Sequence, residues 1–372
     1  MECWVGGFGH IHHSNNNPVL HYSNPRRTVA NRPPNALKVW QFRIALKERT
    51  MSGNNGKKAL HVATFSGWYR FEQDGKELKQ TKRDLSYWTL TCMSVDPADP
   101  QRIYAGSEHS GLFYSENGGA GWKRAEPNTP KMMLFSALAL DGGVMVGTIP
   151  SAVYRSKNGK WEELEGVRVN SAGANFPPSP ELQSRTRYLT YDPVAPARLY
   201  AGIEVGGMLV SDDSGYNWKP ANEGLTDMDI HEVLASEANP GMVYLACGEA
   251  CFRSPDRAGH WENISPKTHD YGTAVAEDKN GVVYVGAAQG RPNLWIREEG
   301  AKAAIFRSGD KGATWEKVTD NLKGGVMHMC PAPNGNGMVA GTSDGSLLVI
   351  DDSGAREVVS GLPFVTSVGL GA

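Results

Sequence analysis

Three histidines and two acidic residues form the set of side chains most suggestive of chemistry. His231, His269 and His328 each stand just before or at the start of a short apolar run, while Glu204 and Asp270 stand in turns. Imidazole nitrogens bind transition metals and exchange protons near neutral pH, and carboxylates orient them. The set predicts one of two sites: a divalent metal site with the three histidines as candidate ligands, or an acid–base site of His231, His269, Glu204 and Asp270. The alternative is that each ring only caps a strand or bonds a neighbouring carbonyl, because no short motif such as His-Glu-x-x-His links them.

A second set contains the side-chain types that anchor ligands. Arg185 and Arg187 flank Thr186 ahead of an apolar run, where either guanidinium can clamp a carboxylate through two hydrogen bonds; the alternative is a solvated basic pair. Tryptophan, tyrosine and arginine supply much of the energy of recognition surfaces. The candidate binding residues are Arg187, Tyr271, Trp88, Trp295, His328, Glu108 and His109.

Composition restricts the class of protein that carries these residues. The 372 residues are 40% apolar, and 38 basic residues oppose 40 acidic ones. This balance predicts a large core and argues against nucleic-acid binding, and no apolar run is long enough for a transmembrane helix. Five scattered cysteines without a secretion signal favour the cytoplasm, although Cys247 and Cys251 flank a turn that can bring their sulfurs together.

A repeated pattern gives the elements that must position the candidate residues. It is a β-branched or aromatic run, a small-residue turn, a second short strand ending in serine, a tight turn and a tryptophan. The copies span 103–122, 144–161, 199–218, 243–261 and 304–315, with degenerate copies at 61–75 and 338–354. Their serines are 41, 55, 43 and 54 residues apart, a period that suits one four-stranded propeller blade: Ser115, Ser156, Ser211, Ser254 and Ser308.

The sequence therefore predicts an all-β fold, a single seven-bladed β-propeller of four-stranded antiparallel blades over residues 59–372. The last run, 363–372, resembles an innermost strand with no blade after it. We expect it to pair with the strand near Leu60 and close the ring, leaving no free edge. Residues 1–50 differ in composition and indicate a disordered extension, or sequence upstream of a working start at Met51.

The tight turns resemble the Asp-box, or bacterial neuraminidase repeat, Ser-x-Asp-x-Gly-x-x-Trp. The segments 211–218 and 308–315 match it fully, whereas Asn117 and Ala258 depart from it in two other copies. The resemblance covers residues 59–372 and extends to bacterial sialidase-like and glycosyl-hydrolase-like proteins with WD40/YVTN/BNR-type repeats. It implies that the boxes lie on the face opposite the usual ligand site. Sialidase activity is not expected, because the Arg-Ile-Pro motif and arginine triad of that family are missing.

The two-propeller xyloglucanases resemble this chain in the repeat alone. Their mechanism would need opposed carboxylates in a cleft between two propellers, which one propeller does not supply. The favoured hypothesis is a monomeric binding protein whose top face, around the channel mouth, recognises a small molecule, a glycan or a protein, with no nucleic acid or membrane partner. Two insertions, 165–186 and 289–302, are expected on that face. The alternative is a hydrolase or lyase using the channel-mouth histidines and carboxylates, with or without a metal.

Overall fold

A computed structural model describes residues 58–125, 133–140, 143–157, 159–170 and 183–372. The segment 1–50 and the start at Met51 lie outside these residues, so their interpretation stays a prediction. Within the described ranges, no helix has the length and apolar character needed to cross a membrane.

Seven four-stranded antiparallel sheets follow one another as the blades of a ring. Blade 1 contains β1 (Ala59–Thr64), β2 (Gly67–Asp74), β3 (Glu77–Asp84) and the last strand of the chain, β28 (Val365–Gly371). Blade 2 contains β4 (Leu90–Val95), β5 (Ile103–Ser107), β6 (Leu112–Ser115) and β7 (Lys123–Arg124). Blade 3 contains β8 (Met133–Leu140), β9 (Gly143–Ile149), β10 (Val153–Lys157) and β11 (Lys160–Glu163).

The remaining blades repeat the same order from the channel outwards. Blade 4 contains β12 (Arg185–Asp192), β13 (Ala195–Glu204), β14 (Gly207–Ser211) and β15 (Lys219–Pro220). Blade 5 contains β16 (Ile230–Ala235), β17 (Val243–Cys247), β18 (Cys251–Ser254) and β19 (Glu262–Asn263). Blade 6 contains β20 (Tyr271–Glu277), β21 (Val283–Ala288), β22 (Ala304–Ser308) and β23 (Glu316–Lys317). Blade 7 contains β24 (Val326–Pro331), β25 (Met338–Thr342), β26 (Leu347–Asp351) and β27 (Gly354–Val359).

The two ends of the propeller pair with each other, as the sequence predicts. In blade 1, β28 runs antiparallel to β1, with Ala59 opposite Gly371 and Val62 opposite Val368. Thr366 adds hydrogen bonds from its hydroxyl to the carbonyl oxygens of Ala63 and Leu90, 3.1 Å each. The C-terminal strand therefore completes blade 1, contacts the innermost strands of blades 7 and 2, and closes the ring.

The predicted serine turns close the outer strands of four blades at one face, here called the lower face. In each turn the serine hydroxyl accepts the backbone N–H four residues on and donates to the carboxylate or amide oxygen two residues on. In blade 4, Ser211 Oγ lies 2.8 Å from both Gly215 N and Asp213 Oδ1. Equivalent bonds occur at Ser115, Ser254 and Ser308. The opposite, upper face carries the starts of the innermost strands.

A β-bulge interrupts every innermost strand near its upper end. In blade 5, Ile230 pairs with Cys247 and Glu232 pairs with Ala246, so His231 has no partner in the register. The same shift leaves one unpaired residue in each blade, and these bulge residues are Thr91, Phe135, Arg187, His231, Thr273, Met327 and Thr366. A bulge re-aims the side chain of its extra residue. We call these seven positions the bulge ring.

Small residues in the second strands let the blades approach one another beside the bulge ring. A Cβ atom on Gly202 would lie 2.6 Å from Ile230 Cγ2, and one on Gly286 would lie 2.6 Å from Val326 Cβ. Both distances are shorter than side-chain carbon contacts allow. In each case the atom that the added Cβ would meet belongs to the innermost strand of the next blade. Glycine at this position therefore sets the spacing between neighbouring blades.

The two insertions lie in different places. Pro292–Leu294 of the second insertion form a 3-10 helix, and Trp295 follows it. The first insertion begins with the helix α1 (Gly166–Asn170), and the Asn170 amide donates to the carbonyl of Trp218 (3.0 Å), just past the lower serine turn of blade 4. This part therefore packs beside an outer strand and not on the upper face; the segment 171–182 is outside the described ranges.

Candidate functional site

A small pocket, partly open to solvent, lies on the upper face over blades 4 to 7. Five of the residues singled out from the sequence line it: Arg187, Glu204, His231, Tyr271 and Trp295. The other lining residues are Thr273, Pro292 and Met327.

The bulge ring supplies half of this lining. Arg187, His231, Thr273 and Met327 are the bulge residues of four successive blades, 4 to 7. Because each lies at the same height on an equivalent strand, the four side chains meet at one rim of the channel. Repetition of the blade thus brings together residues up to 140 positions apart in the chain.

A buried ion pair forms one wall of the pocket. Arg185, at the start of β12, contacts Glu204, at the end of β13, through Nε to Oε2 (2.5 Å) and Nη2 to Oε1 (2.7 Å). Both side chains are 7% exposed. The Nη2–Oε1 contact is a hydrogen bond and the Nε–Oε2 contact is an ion pair, so the charge of Glu204 is matched within the protein.

His231 is held in a single orientation by the next blade. Its Nδ1 lies 2.6 Å from the carbonyl oxygen of Gly272. Because a carbonyl oxygen only accepts, Nδ1 carries a proton, and Nε2 is left to face Asp229 Oδ1 at 3.6 Å and Tyr271 Oη at 3.4 Å. The ring is therefore oriented by a backbone carbonyl and presents its second nitrogen to two polar side chains.

Electrostatics couples His231 to Asp229. Burial disfavours the protonated ring, but the Asp229 carboxylate outweighs it through charge and hydrogen bonding and raises the pKa of His231. Burial likewise opposes the Asp229 charge, yet His231, Arg185 and Arg187 hold the pKa of this carboxyl below its ordinary value. The two groups favour the state in which Asp229 is ionised and His231 is protonated.

The donor set suits a metal ion poorly. Among the described residues, one group of three potential ligands has its donor atoms within 4.8 Å of one another: Glu204, Asp229 and His231. Arg185 already occupies both oxygens of Glu204, and the Arg187 Nε lies 3.8 Å from Glu204 Oε2. A divalent cation here would have to displace or approach two guanidinium groups, so no metal-dependent step is derived from this site.

Two aromatic rings form the wall that faces these charges. Tyr271 and Trp295 pack edge to face, with ring centroids 6.0 Å apart and planes at 89°. The Trp295 Nε1–H donates to the carbonyl of Gly290 (2.9 Å), which fixes the indole within its own insertion. The pocket therefore combines a rigid aromatic surface with fixed polar groups, the usual composition of a small-molecule site.

His328 belongs to a separate cluster in the channel below. Its Nε2 lies 3.4 Å from both Glu232 Oε1 and the Tyr188 hydroxyl, so the cluster joins the innermost strands of blades 4, 5 and 7. Burial lowers the pKa of His328 to about 4 and raises that of Glu232 to about 8. Both groups are therefore neutral near pH 7 and add no net charge beneath the pocket.

His269 and Asp270 lie outside the pocket lining. The His269 Nε2 bonds the carbonyl oxygen of Lys302 (3.0 Å), its Nδ1 lies 2.8 Å from the Thr268 hydroxyl, and the ring packs edge-on against Phe306. Asp270 is exposed beside it. His269 therefore bonds a neighbouring carbonyl, which was the alternative to a role in a metal or acid–base site. The three histidines do not lie together at one site.

Trp88, Glu108 and His109 also lie apart from the pocket, in blade 2 and the link that precedes it. Trp88 packs against Phe113, with ring centroids 5.4 Å apart. The His109 Nε2 lies 3.7 Å from Glu108 Oε1, with the histidine side chain 72% exposed. Cys247 and Cys251 are free buried thiols.

Sequence reasoning missed Thr273 and Met327 as candidates, and it gave Asp229 no role of its own. Asp229 was one of several acidic residues in a blade link, and Thr273 and Met327 carry no distinctive chemistry. A signal for the bulge positions does exist, because a glycine ends the second strand's apolar run in five blades, at Gly106, Gly147, Gly202, Gly286 and Gly341. Each pairs with the residue just after a bulge.

Comparison with known proteins places the fold among xyloglucanase propellers. No family model matches the chain. It is similar to the xyloglucanase Xgh74A of Acetivibrio thermocellus, at 28% identity over 295 residues, 63% of this chain and 33% of the relative. The solved GH74 xyloglucanase of Xanthomonas campestris aligns with a TM-score of 0.61 and 17% identity, over 84% of this chain and 52% of that chain.

Proteins with other names also share this fold. A putative 6-phosphogluconolactonase of Bacteroides fragilis aligns with a TM-score of 0.61 and 11% identity, over 86% of this chain and 99% of that chain. The chain spans 17% to 33% of the length of the curated xyloglucanases it matches. Its sequence relatives are thus xyloglucanases, while the structural likenesses establish the fold alone.

Proposed function

We propose that the upper-face pocket binds a saccharide. The observation that carries this proposal is the pairing of the Tyr271–Trp295 wall with fixed polar groups, Arg187, Glu204 and His231, around one space. A sugar ring has apolar C–H faces that stack on aromatic rings, and hydroxyl groups that need donors and acceptors at its edge. The xyloglucanase names of the sequence relatives agree with this ligand class.

Calorimetric titration with two short oligosaccharides tests the proposal. The first is a neutral xyloglucan heptasaccharide, and the second is a xylotriose that carries one glucuronic acid. We expect at least one to bind, and Trp295→Ala to weaken that binding by about tenfold or more, as loss of a central aromatic anchor does. The matched control is Tyr216→Ala, which removes an exposed aromatic ring from the lower serine turn of blade 4. Absence of binding by both sugars, or equal losses in the two variants, would refute a saccharide site here.

One observation favours hydrolysis as a second candidate function. Asp229, His231 and Tyr271 form a connected polar group beside the pocket, and Asp229 favours the protonated ring of His231, the state that can donate a proton. Release of new reducing ends from either oligosaccharide, lost in Asp229→Asn, would establish this activity. Binding without any release leaves the pocket a recognition site.

A further inference from the structure

The pocket contains a guanidinium that the protein itself leaves without a hydrogen bond. Arg187 lines the space with its side chain 23% exposed, and it donates no hydrogen bond to any described residue. Its nearest carboxylate oxygen is Glu204 Oε2, 3.8 Å from Nε, and that oxygen already lies 2.5 Å from Arg185. The donors of Arg187 are therefore available to a ligand.

The position of this guanidinium is nevertheless fixed. Arg187 is the bulge residue of β12, so the backbone directs its side chain to the channel rim. Its guanidinium carbon lies 5.6 Å from the ring centroid of Phe135, which also receives Arg185 at 4.9 Å. A planar group stacked on an aromatic face keeps its edge donors free and pre-oriented, which lowers the entropy lost on binding.

The surrounding charges leave Arg187 as the unmatched member of the site. Arg185 offsets Glu204 through two contacts, and Asp229 faces His231 at 3.6 Å. In the channel below, Glu232 is directed at His328. The other lining residues are uncharged: Tyr271, Thr273, Pro292, Trp295 and Met327.

We propose that Arg187 makes this pocket selective for a saccharide that carries a carboxylate, a uronic acid, over its neutral counterpart. The inference rests on the proposed function and names the ligand class of the same site. Arg187 would hold both carboxylate oxygens through two parallel N–H donors, while the sugar ring lies against Tyr271 and Trp295.

Two glycosides that differ in one group test the selectivity. Methyl β-glucuronide carries a carboxylate where methyl β-glucoside carries a hydroxymethyl group, and their dissociation constants can be compared by ligand-observed NMR at constant salt. We expect the glucuronide to bind about tenfold or more tightly, in line with a charge-assisted pair, and the preference to shrink as salt rises.

Three variants assign the preference to Arg187. Arg187→Gln should bring the two dissociation constants to within about twofold, because it keeps a polar side chain without the charge or the fork of donors. Arg187→Lys should keep part of the preference. Arg83→Gln, which removes an exposed arginine stacked on Tyr69 in the outer strand β3, should leave it unchanged.

The outcomes separate this inference from the saccharide proposal. If the glucoside binds as well as the glucuronide, or if Arg187→Gln retains the full preference, selectivity by Arg187 is wrong and the saccharide site stands. If the glucuronide does not bind at all, the proposed selectivity for a uronic acid is wrong, whether or not the oligosaccharides bind. If neither the glycosides nor the oligosaccharides bind, both proposals fail.

Discussion

At the residue scale, the site is a set of charges balanced almost entirely within the protein. Arg185 is committed to Glu204 and His231 to Asp229, and the Gly272 carbonyl fixes the tautomer of His231. If Glu204 and Asp229 had no basic partners, their carboxylates would be close enough together to bind a cation. Because Arg185 contacts both oxygens of Glu204, the same residues form a polar wall of the pocket.

The coupling of His231 to Asp229 gives a prediction for pH. Asp229→Asn removes the negative charge that stabilises the protonated ring, while burial continues to oppose protonation. His231 should therefore lose its proton at a lower pH than it does in the parent protein. An NMR titration of the ring carbons measures this shift directly.

The matched control for that titration is Asp270→Asn, which removes an exposed carboxylate from the neighbouring blade link. It should leave the midpoint of His231 in place. An unchanged midpoint in Asp229→Asn, or equal changes in the two variants, would show that Asp229 does not govern the ring.

At the scale of the element, the bulged innermost strand is the unit that supplies half of the pocket lining. The hydrogen-bonded blade stays constant, while the bulge residue changes from threonine to phenylalanine, arginine, histidine or methionine around the ring. The side chains of Thr91 and Thr366 bond the carbonyls of neighbouring innermost strands, whereas Arg187 and His231 line the pocket. The same bulge thus supports blade packing in some blades and forms the pocket lining in others.

The glycines beside five of the bulges should be intolerant of a side chain. A Cβ on Gly286 would lie 2.6 Å from Val326 Cβ, so Gly286→Ala forces blades 6 and 7 apart. We expect a loss of about 1–3 kcal/mol in the free energy of unfolding, the usual cost of overpacking. Chemical denaturation measures it.

Gly309→Ala is the control for this change, because a Cβ there meets no atom within 4 Å. It should alter the free energy of unfolding by less than about 1 kcal/mol. If the two alanine variants unfold at the same denaturant concentration, the glycine does not set the blade spacing.

The blades were predictable from sequence because their signals are local. Serine turns, positive-φ glycines and period-two apolar runs are fixed by residues within one repeat, so Ser211 and Ser308 identify their blades without tertiary information. The closing strand was predictable for the same reason, as an innermost strand lacking a blade.

The site was predictable only in part, because a side chain's direction depends on its neighbours in other blades. Glu204, His231 and Tyr271 stand at the upper ends of blades 4, 5 and 6 and meet in the pocket. His269 also lies just before an innermost strand, but its ring bonds the Lys302 carbonyl and lies outside the pocket. Trp88 lies on a different sector of the ring, which chemical type alone does not reveal.

At the scale of the whole molecule, the propeller separates two faces with different tasks. The lower face holds the serine turns, in which Trp218 and Trp315 use their indole N–H groups to bond the carbonyls of Gly215 and Ile264. The upper face holds the bulge ring and the pocket. Closure by β28 keeps the innermost strands at one height, so that residues from four blades form one rim.

The proposed site places the ligand on the upper face, against Trp295. A two-dimensional ¹⁵N NMR titration of the indole N–H signals with the glucuronic-acid-bearing xylotriose, with Trp295 assigned through Trp295→Phe, tests this placement directly. We expect the Trp295 signal to move saturably while those of Trp218 and Trp315 stay in place. Movement of the lower-face signals with Trp295 unchanged, or no movement at any indole, would contradict it.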